Sequence, residues 1–192
     1  MLEYFTIAWN VVEATVGLVA GVLAGSVALV GFALDSIVEA TSGGILIWRL
    51  KTERSGARTA EEAEQRAIRL VAAAFFALAA YVGVRASFDL VNQARPDESP
   101  TGIVLAIISL IVMPVLAHKK SKLAKELDSR ALQADSTQTI LCMYLSAFLL
   151  VGLVANAAFG WWWADPLAGL AIAGFAAREG HELWTTKDLC CR

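Results

Sequence analysis

Charge is scarce in this chain. Charged residues make up 18% of its 192 residues, while apolar ones make up 57%, a balance outside the soluble norm. Cysteine is scarce as well: with three, no full disulfide framework forms. Cys142 sits in an apolar run, and Cys190 and Cys191 are neighbours too close for an easy mutual bridge. No basic patch with interleaved aromatics is present, so nucleic acid is not an expected partner. The slight net charge of −2 points to no partner class. The start, Met1-Leu-Glu-Tyr, lacks the basic region and cleavage site of a signal peptide, so the first apolar segment is expected to stay as a membrane helix. No nucleophile–base pair or cofactor motif accompanies the acidic residues, which disfavours an enzyme.

What is abundant is apolar sequence in long runs. At about 20 residues per span there is room for about six helices with short loops, and none for a second, soluble domain. The expected fold is all-α, a single six-helix transmembrane domain over residues 1–192. Its helices are expected at about 5–24, 27–48, 67–91, 102–118, 131–155 and 166–185, the last with an amphipathic end. Ser26 is a plausible N-cap of helix 2, and Asp128-Ser129 serves the same purpose before helix 5. The Trp161-Trp162-Trp163 run reads as an interfacial anchor ahead of Asp165-Pro166. Met113-Pro114 should kink helix 4. Gly17, Gly21 and Gly25 recur at four-residue spacing, which either allows a close helix approach or reflects ordinary glycine enrichment in membrane segments.

Fourteen of the sixteen lysines and arginines fall with one set of loops, Arg85 and Arg95 being the exceptions. The positive-inside rule places those loops, and both termini, in the cytoplasm, for which a bacterial inner membrane is the expected setting.

A pattern repeats within this frame. Ser26-Val-Ala-Leu leads to Asp35 nine residues after the serine and Glu39 four later; Ser129-Arg-Ala-Leu leads to Gln138 and Cys142 at the same offsets. On a helix, positions i and i+4 share a face, so each copy offers two stacked donors. Asp35 and Glu39 lie about eight and twelve residues into helix 2, where a carboxylate is costly unless it faces a bundle interior or cavity, and there it marks an ion pathway. Two such helices face to face would build a four-ligand site. Gln138 and Cys142 also read as interhelical packing groups. A thiolate would soften the site and favour zinc over calcium or magnesium. Asp135 is a ligand, a proton carrier or a cap at the cytoplasmic mouth. Glu13 is a pathway carboxylate or a partner to an interhelical donor, and Asn10 lies near it in helix 1. Asp165 reads as a helix cap, and Asp89 lies near the outer end of helix 3. His118 and His181 read as solvated residues at cytoplasmic helix ends; His181 with Cys190 and Cys191 as a metal-loading tail is the alternative, though its spacing matches no standard site.

With these residues in place the chain resembles the transmembrane domain of the cation diffusion facilitator (cation efflux) family over nearly its whole length. Ala33-Leu-Asp35-Ser-Ile-Val-Glu39 is close to that family's Asp-x-x-x-Asp or His-x-x-x-Asp. Ala134-Asp135 looks like the Ala-Asp before its second pair, and Asp165-Pro166 like the start of its sixth helix. The resemblance implies six helices with cytosolic termini, a transport site on helices 2 and 5, proton-coupled export of zinc or sometimes manganese, iron or cobalt, and a homodimer. No cofactor is implied beyond the transported ion. In three positions the chain departs: Gln138 stands for the usual histidine, Cys142 for aspartate, Glu39 for aspartate. It also resembles a short form without the C-terminal cytosolic domain, so a dimer would be held by membrane helices. A non-transporting metal-binding or sensor protein with a degenerate second half-site is the alternative.

Overall fold

A computed structural model describes residues 2–54, 60–126 and 130–186, with side chains over 2–48, 68–126 and 135–185. It consists of six helices: α1 (Leu2–Ala24), α2 (Val27–Arg54), α3 (Ala60–Val91), α4 (Pro100–Glu126), α5 (Arg130–Phe159) and α6 (Ala164–Thr186). Among the described residues no strand occurs. The expected six-helix architecture is therefore present. Five helices, α1 to α5, contain stretches long and apolar enough to cross a membrane. α6 has 23 residues, about 35 Å of helix, but Arg178, Glu179, His181 and Glu182 dilute its second half.

The described helix ends on the side opposite both termini follow from local chemistry. Gly25 takes a positive φ of 66°, Ser26 N donates to Gly21 O at 3.0 Å and Gly25 N to Val22 O at 3.3 Å. That is a Schellman ending, which glycine adopts without a Cβ penalty. Gly25 is thus the turn residue rather than part of a packing stripe. Gly17 and Gly21 do make the close approach: a Cβ at Gly21 would lie 2.9 Å from Val30. Ser26 caps α2 as expected, its Oγ accepting from Leu29 N at 3.1 Å.

Asp165 is a cap too, but of a different helix. Its carboxylate accepts from Ser26 Oγ at 2.5 Å and from Val27 N at 3.0 Å, so it closes the N-terminus of α2 from α6. The helix macrodipole favours an anion there. Replacing this buried group (Asp165→Ala) is expected to cost about 1–3 kcal/mol, with Asp165→Asn losing less. Thermal melting in detergent reads the difference, and equal melting of Asp165→Ala and the unaltered chain would show that the cap contributes nothing.

α2 is the central helix. It packs against α1, α3, α5 and α6 and contributes to both main apolar clusters. Leu29 and Phe32 pack with Met113, Leu149 and Ile172, and Val38 packs with Phe75, Val82 and Ala176. The outer surface is apolar, with Leu23, Leu70, Val91 and Val151 exposed, while Asn10, Glu13, Asp35, Glu39 and Lys120 are buried. Apolar outside and polar inside is the arrangement a lipid solvent imposes. Stacked Trp161 and Trp163, with centroids 5.2 Å apart, stand exposed at the α5–α6 turn as an aromatic anchor would.

One boundary changes the picture of the site. The sequence pattern ends the fourth helix near His118 and leaves Lys119, Lys120, Lys122 and Lys125 in a basic link, but α4 continues to Glu126. Its buried stripe of Met113, Leu116, Ala117, Lys120 and Ala124 keeps helical spacing through the charged stretch. Lys120 is a buried interior residue, not a solvated loop lysine. The kink-prone Pro114 lies within this helix. Asp128 and Ser129, the proposed cap of helix 5, and Cys190 and Cys191 lie outside the described residues; His118 and His181 are exposed as expected.

Candidate metal pathway

The tight α1–α2 turn runs the two helices antiparallel, which brings Glu13 opposite Ser36. Ser36 Oγ donates to Glu13 Oε2 at 3.2 Å, and Trp9 Nε1 donates to Glu13 Oε1 at 2.6 Å. Glu13 therefore ties α1 to α2, and of its two expected roles the pairing one has visible partners. One turn closer to the N-terminus, Asn10 is fully buried, and among the described residues neither its amide nitrogen nor its amide oxygen has a hydrogen-bond partner. An unsatisfied amide in such a place costs about 1–3 kcal/mol, so a further ligand would be favoured there.

Asp35 and Glu39 are both buried and point along the same face of α2. Asp35 has Glu39, Glu13 and Glu179 of α6 as its electrostatic neighbours; Glu179 had no place in the sequence pattern because α6 carries no copy of it. Glu39 reaches α5. Its Oε1 accepts from Thr139 Oγ1 at 3.2 Å, Cys142 is among its polar neighbours, and among the described residues its Oε2 has no hydrogen-bond partner. Cys142 is itself buried, with Glu39, Glu13 and Asp35 as its charged neighbours. Gln138 sits one turn further toward the α5 N-terminus, where its Oε1 accepts from Ser42 Oγ at 3.3 Å.

The two copies of the repeated pattern thus lie along one α2–α5 seam, joined by Glu39 with Thr139 and Gln138 with Ser42. Among the described residues no three of the Asp, Glu, His and Cys side chains converge closely enough to hold a metal ion in this conformation.

Asp135 lies elsewhere on the seam, one helical turn before Thr139. Lys120 Nζ approaches its Oδ2 at 2.5 Å, and the same ammonium lies 3.3 Å from Glu3 Oε2. Asp135 is thus paired with Lys120, an arrangement not among the roles of ligand, proton carrier or cap that the sequence offered. Lys120, Glu3 and Thr139 were missed as site residues, although spacing marks them. Glu3 is one helical face with Thr6, Asn10 and Glu13, and Thr139 stands four residues after Asp135 and three before Cys142.

A family model described as the cation efflux transmembrane domain matches residues 4–185. The chain is 31% identical over 183 residues to an uncharacterized transporter of Synechocystis sp., covering 92% of this chain and 57% of that protein. It is 27% identical over 108 residues to a protein named cation-efflux pump FieF in Shewanella oneidensis, covering 56% of this chain and 35% of that one. A third relative, transmembrane protein 163 of Xenopus laevis, is 25% identical over 183 residues, covering 95% of this chain and 64% of that protein. The chain thus spans between about a third and two thirds of the length of these relatives.

Proposed function

Since the chain belongs to the cation efflux family through its transmembrane domain, we propose that it exports a divalent metal cation, zinc first, in exchange for protons along the α2–α5 seam. Asp35 and Glu39 supply the charged oxygens, Cys142 a soft donor, and Gln138 a neutral oxygen. Asp135 guards the cytoplasmic mouth, with Glu13 and Asn10 further along the pathway. Both termini lie in the cytoplasm of a bacterial inner membrane, and two copies pair through their membrane helices.

The observation that carries this is the contact of Glu39 with Thr139 across α2 and α5 at 3.2 Å, beside buried Cys142 and with Asp35 one turn away, inside a bundle whose outer face is apolar. Buried carboxylates at that position have no solvent to hold their charge, so they need protons or a cation. The two alternatives exclude each other because a metal ligand must be deprotonated. Metal binding from one side therefore expels protons, and protons returning from the other side expel the metal. Alternating access of the helices around a fixed site completes the cycle.

Purified protein in liposomes, with a pH gradient imposed and zinc, manganese, cobalt and cadmium offered in turn, tests this. Uptake of zinc that moves a proton-sensitive dye in the opposite sense is expected. Metal binding without flux would favour a sensor over a transporter. Affinity should also fall as the pH falls, since protons compete for the same oxygens and sulfur. A zinc affinity that stays flat from acid to alkaline pH contradicts proton coupling at this seam.

A further inference from the structure

Lys120 is the one basic side chain that is buried among the residues whose side chains are described, and it is fully so. An ammonium in such a place is expensive, and an apolar residue would often serve a purely structural end as well or better. Its ammonium forms ion-pair contacts with Asp135 Oδ2 of α5 at 2.5 Å and Glu3 Oε2 of α1 at 3.3 Å, and it donates to Thr139 Oγ1 at 3.2 Å.

Thr139 is the link to the seam. Its single hydroxyl proton is shared between Glu39 Oε1 at 3.2 Å and the Asp135 carbonyl at 3.1 Å. One hydroxyl therefore separates the lysine ammonium from a carboxylate assigned to the transported cation. Lys120 is also within direct electrostatic reach of Glu39. Three carboxylates, Glu3, Asp135 and Glu39, face one tethered cation, and when all are ionised the group is short of two positive charges.

We infer that Lys120 is a built-in surrogate cation that limits how tightly the seam holds its cargo. With the seam empty, the ammonium gathers Asp135 and Glu3 and, through Thr139, steadies Glu39. When a divalent ion arrives, Lys120 keeps one unit of positive charge beside it, so that the ion is attracted by the net deficit and not by every carboxylate at once. Passage requires binding weak enough to permit release, and a fixed positive charge next to the path supplies that weakening. This inference rests on the assignment of Asp35 and Glu39 as cargo ligands.

The test is zinc binding by calorimetry and zinc flux in liposomes, on the full chain with five sets of changes. Lys120→Met should bind zinc on the order of tenfold more tightly or better, because a repelling charge is gone in a low-dielectric site. Its KM and its maximal flux should both fall, as the ion leaves more slowly. Lys120→Arg keeps the charge and should stay near the unaltered chain in affinity. Lys120→Met leaves two carboxylates unpaired, so a folding defect is a real outcome. Lys120→Met made in a Glu3→Gln background removes one charge of each sign, so the deficit stays at two and zinc affinity should return to near that of the unaltered chain. Against Glu3→Gln alone, from which it differs only by the ammonium, it should bind zinc on the order of tenfold more tightly. Equal zinc affinity in those two proteins overturns the inference, for then the lysine only braces the bundle. Asp35→Asn separates the underlying assignment: if it leaves zinc binding intact, the seam is not the cargo site, and the inference falls with it. If Asp35→Asn abolishes binding while the lysine variants change nothing, the seam stands and only the role of Lys120 fails.

Discussion

Asp35→Asn is expected to reduce zinc flux by roughly a hundredfold or more while leaving the protein inserted and folded. Even partners that only orient a metal's ligands are worth about 10–100-fold, and Asp35 is assigned as a ligand itself. The change is nearly isosteric, and among the described residues Asp35 is in none of the hydrogen bonds that fix the helices, unlike Glu13 with its Trp9 and Ser36 donors. Loss of flux would therefore report chemistry rather than collapse. Removing a charge from a buried carboxylate pair should even relieve repulsion with Glu39 in the empty state. Detergent melting should accordingly show no loss of stability. Full zinc flux in well-inserted Asp35→Asn protein would remove Asp35 from the pathway.

The second large effect is expected at α5. Gln138→His with Cys142→Asp should tighten zinc binding by about tenfold or more, because an imidazole nitrogen suits zinc better than an amide oxygen. Aspartate also supplies anionic charge without first having to ionise a thiol in an apolar surrounding. Cys142→Ala alone should weaken cadmium binding more than manganese binding, since only the soft ion gains much from sulfur. Ser42, which donates to Gln138, has a hydroxyl oxygen able to accept from the N–H of a zinc-bound histidine there. Competition calorimetry on the three proteins reads both effects. An unchanged cadmium-to-manganese ratio in Cys142→Ala would make the cysteine a packing residue and leave Asp135 as the donor from α5.

The fold was legible because lipid imposes a simple rule on sequence: long apolar runs, with turns marked by residues such as Gly25-Ser26 and Asp165-Pro166. The pairing of the two pattern copies was also legible, since i and i+4 spacing survives any error in helix ends. Two kinds of feature were not. Asp165 is a cap, as its chemistry suggests, but which helix end it reaches is a tertiary fact, and only the packing of α6 against α2 delivers it to Ser26 and Val27. Lys120 was hidden by its neighbours: Lys119, Lys122 and Lys125 are exposed and make the segment read as a basic loop. The signal was nonetheless there in the i, i+3, i+4 and i+7 spacing from Met113 to Lys120, which outweighs composition when a helix continues past the apolar run.

Whether a cation sits between α2 and α5 is most directly measured by zinc X-ray absorption on protein in which Cys190 and Cys191 are serine. With Cys142 then the sole thiol, the account predicts a mixed shell, one sulfur at about 2.3 Å with oxygens at about 2.0–2.2 Å. The sulfur should vanish in Cys142→Ala, and oxygen coordination should change in Asp35→Asn and Glu39→Gln. A zinc shell identical in all three variants would place the metal elsewhere and contradict the seam as the cation's path.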